Sequence, residues 1–198
     1  TLMTAMFRND TAFNQDISTW DTRKVTNISN MFNGATLFNQ SVATNGNQWN
    51  VSGVTTMQGV FSGATGYTNL GQPLSGWSTS NVTDMSWMFG RTLFNKYIGN
   101  WNTANVLTTQ AMFWSATTFN NESLPLSGWN TSKVITMRSM FNTAQQFNQN
   151  VNTNGSNWVT SAVTDMQFMF NEATSFNNGE SSGLSNYPLT GWDTGNVT

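Results

Sequence analysis

The chain has 198 residues, of which only 8% are charged, and its formal net charge is −2. Because there is no basic patch to neutralise phosphates, this composition argues against a nucleic-acid partner. The sequence contains no cysteine and no histidine, which excludes a disulfide framework and the side chains most often used for acid–base or nucleophilic catalysis.

A repeated pattern is first complete in WDTRKVTNISNMFNGATLFNQ, which runs from Trp20 to Gln40. A valine follows each tryptophan of the pattern after five residues, a phenylalanine follows the valine after seven, and a second aromatic usually follows six residues later. Successive first phenylalanines are 25, 29, 28, 24, 28 and 29 residues apart, which is close to the period of leucine-rich-repeat proteins. The tryptophans of this column are Trp20, Trp49, Trp77, Trp101, Trp129, Trp158 and Trp192.

Each unit is predicted to contain one short strand and one short helix. Apolar residues with Pro or Gly precede the tryptophan, as in DISTW, PLSGW and YIGNW, which is typical of a short strand. The apolar residues of VTNISNMFNGATLF have offsets of 0, 3, 6, 7, 10 and 13, which fit a helical period. We therefore predict an α/β repeat fold, a curved leucine-rich-repeat-like solenoid of about seven units of 24–29 residues. Parallel strands would lie inside the curve, since they stack about 4.8 Å apart whereas packed helices need about 8–10 Å.

The length variation between units lies between the second aromatic and the next tryptophan, which indicates surface loops. The chain starts with TLMTAMF and stops with GWDTGNVT, and overlaying Thr198 on Thr1 gives a complete unit. We therefore expect residues 1–198 to be a single solenoid segment, cut within a repeat at both ends and part of a longer array, because solenoid domains need polar caps.

The units share the sequence pattern F-N-x-x-I-x-x-W-[DN]-T-[SR]-x-V-T-x-M-x-x-M-F-x-x-A-x-x-F. This pattern resembles the repeats of the BspA-like leucine-rich-repeat surface proteins, in the mycoplasma-lipoprotein type of repeat. The resemblance covers essentially the whole chain and departs from the pattern at Val51, Val60 and Thr109. It implies a secreted or cell-surface protein, often adhesive and often long, without catalytic residues.

The acidic residues predict neither a catalytic nor a metal site. They are scattered over different units, no two have a spacing suited to a catalytic dyad, and no DxDxDG-type calcium loop is present. We therefore predict a protein that is not an enzyme and has no cofactor. The acidic residues are Asp10, Asp16, Asp21, Asp84, Asp165, Asp193, Glu122, Glu172 and Glu180.

Aromatic residues outside the regular columns are the candidate contact residues. Trp87 and Trp114 are three positions apart in unit register, so a helical repeat would place them on one face in adjacent units. Tyr97 lies in the loop between them, and Phe168 occupies the Trp87 position in a later unit. An exposed aromatic patch marks contact with a glycan, a partner or a neighbouring array. The alternative is that these rings only cover a lateral groove. The long loop at residues 179–188 is a second candidate.

Two further columns have a structural interpretation. A threonine lies two residues after most of the tryptophans. The hydroxyls of these threonines either bond within turns or form a regular ladder of the kind found in ice-binding solenoids. An asparagine after the second aromatic is predicted to form a hydrogen-bond ladder in turns. The threonines are Thr22, Thr79, Thr103, Thr131, Thr160 and Thr194. The asparagines are Asn14, Asn39, Asn95, Asn120, Asn148 and Asn177.

Nine Asn-X-Ser/Thr sequons are candidate glycosylation sites, relevant only to a secreted eukaryotic chain. They begin at Asn9, Asn27, Asn39, Asn50, Asn81, Asn121, Asn130, Asn154 and Asn196.

These features together predict an extracellular or cell-surface structural protein with adhesive contacts. Its repeats would form a rod or filament, and its polar surface would bind other copies, extracellular proteins or glycans. A discrete carbohydrate- or ice-binding module is the alternative. No run of residues in the sequence is apolar enough to span a bilayer.

Overall fold

The units stack on one another through backbone hydrogen bonds and stacked aromatic rings. The computed structural model describes residues 1–44, 49–153, 157–179 and 189–198. Within these ranges the helices are two short 3-10 turns, Asn69–Gly71 and Asn121–Ser123. Pairing between units consists of isolated parallel bridges that join Leu2, Asn27, Thr56, Asp84, Thr108, Thr136 and Asp165 in that order.

Throughout the described residues the predicted helix and strand of the unit are therefore wrong, and the α/β leucine-rich-repeat fold with them. The apolar stretch after each valine is a series of tight turns, in which Met31 N–H bonds the Ile28 carbonyl at 3.1 Å and Ala35 N–H bonds that of Phe32 at 3.0 Å. Consecutive turns of three residues place apolar side chains at a spacing close to that of a helix. Left-handed residues such as Asn30, with φ of 55°, prevent the helix from continuing.

Before Trp20, Trp77, Trp101 and Trp129, where the structure describes the whole preceding segment, that segment is also a turn and not a strand. Trp20 N–H bonds the Ile17 carbonyl at 3.0 Å, and Trp101 N–H bonds that of Ile98 at 3.1 Å. The predicted curvature required closely spaced strands on one side of the array and wider-spaced helices on the other. The described residues contain neither a sheet nor a helix layer, so this reason for a curved array no longer applies.

Backbone hydrogen bonds alternate between the turns and the next unit. The N–H groups that do not close a turn bond to the next unit. Asn30 N–H donates to the Gln58 carbonyl at 2.7 Å, and Phe32 N–H donates to the Val60 carbonyl at 2.9 Å. This alternation pairs buried backbone groups without a regular sheet, which satisfies the demand that such groups find partners.

Two columns of aromatic rings form the centre of the stack. Phe32 and Phe61, in adjacent units, have ring centroids 5.7 Å apart with planes 3° from parallel. Within one unit Phe32 stacks on Phe38 at 3.9 Å, and both side chains are fully buried. Each unit therefore buries its rings against its neighbours, as in quasi-one-dimensional repeat proteins.

Candidate functional site

Two positions in each unit, five and nine residues after the valine, have left-handed backbone. In one unit they are Gly59 and Gly63, with φ of 58° and 71°. In the next unit they are Trp87 and Arg91, both with φ of 60°. A bulky side chain in this region costs on the order of 1–3 kcal/mol, whereas glycine adopts it freely. The chain therefore carries two large side chains where its own neighbouring unit has the unstrained residue.

Trp87, Arg91 and Trp114 meet at the surface, and we call them the Trp87 cluster. The rings of Trp87 and Trp114 are 5.4 Å apart at an interplanar angle of 65°. The Arg91 guanidinium carbon lies 4.5 Å from the centroid of the Trp114 ring. Trp87 is 36% exposed, Arg91 is exposed and Trp114 is half-buried. The cluster thus presents an angled pair of indole rings beside a positive charge.

Backbone bonds between units bring the cluster together. Trp87 N–H bonds the Gln110 carbonyl at 2.9 Å, and Arg91 N–H bonds the Trp114 carbonyl at 2.8 Å. The sequence predicted that the two tryptophans share a face, but on helices that the structure does not contain. Arg91 was missed, although its alignment with Gly63 is a signal that could have drawn attention to it.

The Arg91 guanidinium has no carboxylate partner among the described residues. Its recorded side-chain contact is with the Trp114 ring. The ion pairs within the described ranges are Asp21–Arg23, Lys96–Glu122 and Arg138–Asp165. The shortest of these, at 2.6 Å, lies far from the cluster in sequence, and hydrogen bonds from Arg23 lower the pKa of the Asp21 carboxyl to about 2.

Phe168 belongs to a second, neutralised group that we call the Phe168 cluster. Phe168 has φ of 59° and is 50% exposed. The guanidinium carbon of Arg138 lies 5.6 Å from its ring centroid, and an Arg138 nitrogen lies 3.6 Å from a carboxylate oxygen of Asp165. This group repeats the combination of aromatic and arginine, but supplies its own negative charge.

Tyr97 and the long loop do not join the Trp87 cluster. Tyr97 is half-buried, its N–H bonds the Glu122 carboxylate at 3.1 Å, and its ring lies against Gly99. None of the ring contacts of the described residues joins Tyr97 to Trp87 or Trp114. Gly179 N–H bonds Oδ1 of Asn148 at 3.0 Å, while residues 180–188 of the second candidate lie outside the described ranges.

The match to a protein family confirms the repeat organisation. A family model described as "Mycoplasma protein of unknown function, DUF285" matches residues 1–90, 44–152 and 99–198. The three matches overlap and together span the chain. The chain belongs to this family. Comparison with curated proteins and with solved structures gives no match. Since the family description assigns no activity, function has to be argued from the surface.

The tryptophan column of this family member lies mainly in the core, and several of its indoles bond across units. Nε1–H of Trp77 donates to the Val42 carbonyl at 2.9 Å, and that of Trp101 donates to the Leu74 carbonyl at 3.0 Å. Trp20 and Trp192 are half-buried, and the other five members are buried. These indoles fix the position of one unit on the preceding one.

The asparagine column forms cross-unit hydrogen bonds. Oδ1 of Asn95 accepts the N–H of Asn120 at 2.8 Å, and Oδ1 of Asn120 accepts that of Asn148 at 2.8 Å. Sequence reasoning missed a second group one position further on, whose side chains are buried. Its members are Asn69, Asn121 and Asn178.

The threonine column is turned inward in most units. The Thr131 hydroxyl donates to the Val159 carbonyl at 2.6 Å, and that of Thr22 donates to the Asn50 carbonyl at 2.8 Å. Thr194 is the exposed member, and Thr22, Thr79, Thr103, Thr131 and Thr160 are at most 2% exposed. Hydroxyls in this position serve unit stacking and do not offer a flat ladder to ice.

The sequon asparagines differ in accessibility. Asn9, Asn81 and Asn196 are exposed, and Asn27, Asn39, Asn50 and Asn130 are half-buried. Asn121 is fully buried, with Nδ2 donating to the Leu124 carbonyl at 2.7 Å, so this side chain does not present itself for modification. Asn154 lies outside the described residues.

Neither a metal centre nor a membrane span is found within the described residues. No group of three or more His, Cys, Asp or Glu side chains there is placed to hold a metal ion, and no helix there is long and apolar enough to cross a membrane. A cavity of about 230 Å³ lies beside Trp49, Asn50 and Gly76, and no residue of the Trp87 cluster lines it.

Backbone strain at the aromatic positions can be measured on Phe168. We expect Phe168→Val to be less stable than Phe168→Asn by about 1–2 kcal/mol, because Asn tolerates left-handed backbone and a β-branched residue does not. Both changes remove the aromatic ring that lies near Arg138, so the difference in stability between the two variants reports the cost of the backbone conformation. Chemical denaturation of the two variants is the measurement, and equal stabilities would contradict the strain.

Proposed function

We propose that this chain is a non-enzymatic structural and adhesive repeat protein of the extracellular space or cell surface, of the BspA-like type. Its stacked units act as a rod or filament that displays contact residues to extracellular proteins, glycans or further copies of the chain. The observation that carries the proposal is the Trp87 cluster, with two large side chains exposed on left-handed backbone. The backbone conformation recurs in the other units, so it is the size and exposure of these side chains that distinguish this unit.

The scaffold part of the proposal rests on how the units are joined. Backbone amides, tryptophan indoles and asparagine carboxamides all bond from one unit to the next. Because each unit contacts its neighbours in the same way, units can be added without redesigning the core. A long array of this construction would hold surface clusters at fixed separations.

The adhesive part rests on the chemistry of the exposed residues. Exposed aromatic rings and arginine are the residues enriched at the centres of binding interfaces. The remainder of the surface is poor in charge, since only 8% of the residues are charged. The Trp87 cluster therefore stands out from an uncharged polar background.

The test uses the purified chain on a printed array of extracellular glycans and on immobilised extracellular-matrix proteins. We expect binding that falls about tenfold or more in Trp87→Ala and Trp114→Ala, since central aromatic contacts contribute most to affinity. Leu37→Ala, which truncates a side chain that is 61% exposed, is the control and should bind as the parent chain does. Absence of binding to every surface, or binding indifferent to both tryptophans, would refute the adhesive function.

Electron microscopy of the protein from its native source separates the filament from the discrete module. Continuous filaments support the scaffold, and separate short rods exclude it. Such rods would support a discrete carbohydrate-binding module, because the Trp87 cluster would still be available to a sugar.

A further inference from the structure

We propose that the Trp87 cluster binds a carboxylated sugar residue of an acidic glycan, with the sugar ring on the Trp87 indole and its carboxylate on Arg91. This inference rests on the proposed adhesive function and names the ligand class of the same surface.

The carboxylate requirement comes from Arg91. Its guanidinium makes no ion pair within the described residues, and the Trp114 ring holds it at 4.5 Å. Stacking on an aromatic face leaves the N–H groups at the edge of the guanidinium directed sideways, where they match a carboxylate with two parallel hydrogen bonds. The contact with Trp114 thus favours one position of the charge before a ligand arrives.

Neighbouring charges leave this guanidinium available. Asp84 is the acidic residue nearest in sequence, and its carboxylate accepts both the Ser86 N–H, at 2.8 Å, and the Ser86 hydroxyl, at 2.6 Å. Glu122 is paired with Lys96 at 2.9 Å. The overall charge of −2 is small, and physiological salt screens separations beyond about 8 Å.

The sugar ring is indicated by the shape of the indole pair. Trp87 and Trp114 meet edge to face at 65°, and the Trp87 ring is exposed. The faces of aromatic rings are electronegative, and the C–H groups of a pyranose carry small positive charges, so the two surfaces attract. Peptide anchors instead favour closed, desolvated pockets. The cavity beside Trp49 is lined by none of these residues.

Polar groups beside the cluster fit the hydroxyls of a sugar. Gln110 and Ser115, both half-buried, adjoin the two tryptophans through the backbone contacts between units and the chain itself. Their neutral side chains are of the type that hydrogen-bonds carbohydrate hydroxyls.

The Phe168 cluster is an internal comparison for this assignment. It has an exposed ring and a neighbouring arginine, but Asp165 already occupies Arg138 at 3.6 Å. The same combination of side chains should therefore be closed to an external carboxylate. Asp165→Asn keeps the shape and the Oδ1 acceptor for the Gln167 N–H while it removes the competing charge.

The first experiment measures binding of oligogalacturonate, sialyllactose and methyl-esterified oligogalacturonate by isothermal titration calorimetry. We expect at least one carboxylated saccharide to bind the parent chain, and Arg91→Gln to weaken it about tenfold or more. Arg138→Gln should change the affinity less than about twofold. The saccharide that binds distinguishes a uronic acid from a sialic acid. Circular dichroism and thermal melting establish that each variant is folded.

Several outcomes would overturn the assignment. These are equal binding of the methyl ester, unchanged binding by Arg91→Gln, or equal binding of a glutamate-rich peptide. If no carboxylated saccharide binds, while other surfaces are still bound in a Trp87-dependent way, the ligand class is wrong and the adhesive function stands. If nothing is bound at all, the adhesive function fails as well.

A variant that is expected to gain a binding site complements the variants that are expected to lose affinity. In Asp165→Asn we expect the binding stoichiometry for the carboxylated saccharide to rise from one site to two, because Arg138 becomes free beside Phe168. The double variant Asp165→Asn with Arg138→Gln should return to one site. A stoichiometry of one in Asp165→Asn would contradict the idea that an unpaired arginine beside an aromatic ring defines the site.

Discussion

Replacement of Phe113 by alanine is expected to lower the free energy of unfolding by about 3–5 kcal/mol. Phe113 is fully buried and stacks on Phe89 at 5.7 Å, on Phe119 at 3.8 Å and on Phe141 at 5.5 Å. Alanine removes one ring from the middle of the continuous column and leaves a cavity that the two neighbouring units cannot close without losing their own hydrogen bonds. Guanidinium denaturation followed by tryptophan fluorescence measures the loss.

Two controls show whether the position in the column matters. Phe7 is half-buried and stacks on Phe13 and, in the next unit, on Phe32, so Phe7→Ala should cost less than Phe113→Ala. Phe168→Ala truncates an exposed ring, and its effect should stay below about 1 kcal/mol. Equal losses at Phe113 and Phe168 would mean that the aromatic column does not form the core.

The repeat and its columns could be predicted because their signal is compositional and regular. The tryptophan, valine and phenylalanine columns recur at fixed spacing in the sequence, and the structure buries the rings of successive units against each other. Side-chain burial between identical neighbours imposes this regularity whatever the local backbone is, so it survives an error in secondary structure.

The local backbone could not be predicted from the same signal. Apolar residues spaced by three and four fit a helix, but consecutive three-residue turns place Val25, Ile28 and Met31 on one side equally well. Gly34, Gly59 and Gly63, five or nine positions after the valine, favour turns because glycine is unfavourable in a helix interior. Most other units carry non-glycine residues at these positions, also with positive φ, so residue type gave no consistent signal.

The candidate site was predicted in part. Trp87 and Trp114 were selected because they break the columns, and the structure places them in contact. Arg91 was overlooked since a single arginine carries no periodic signal. Tyr97 was included on proximity in the loop, but its ring packs on its own loop beside Gly99. Sequence register thus identifies residues in adjacent units more reliably than it identifies what a loop residue faces.

Loss of the Asn121 side chain is expected to destabilise the protein by about 2–4 kcal/mol, because the buried Ile98 N–H and the partly buried Leu124 carbonyl lose their partners. Oδ1 of Asn121 accepts the Ile98 N–H at 2.8 Å, and its Nδ2 donates to the Leu124 carbonyl at 2.7 Å. Asn121→Gly is the cleaner variant, since φ at this residue is 50° and glycine adopts that value without strain. Chemical denaturation gives the energy, and hydrogen exchange at the Ile98 amide locates the loss.

The matched control for Asn121→Gly is Asn105→Gly, in which the same type of bond lies at the surface. Nδ2 of exposed Asn105 donates to the Ser80 carbonyl at 2.8 Å, where water can replace it, so the loss should stay near 1 kcal/mol or below. A similar loss at both sites would mean that glycine's own flexibility, and not the buried bonds, dominates. A large loss of stability at Asn121, with fast hydrogen exchange at the Ile98 amide, would instead show that a side-chain amide supplies bonds that a sheet would otherwise make. The loop that carries Lys96 and Tyr97 would then depend on the Asn121 side chain.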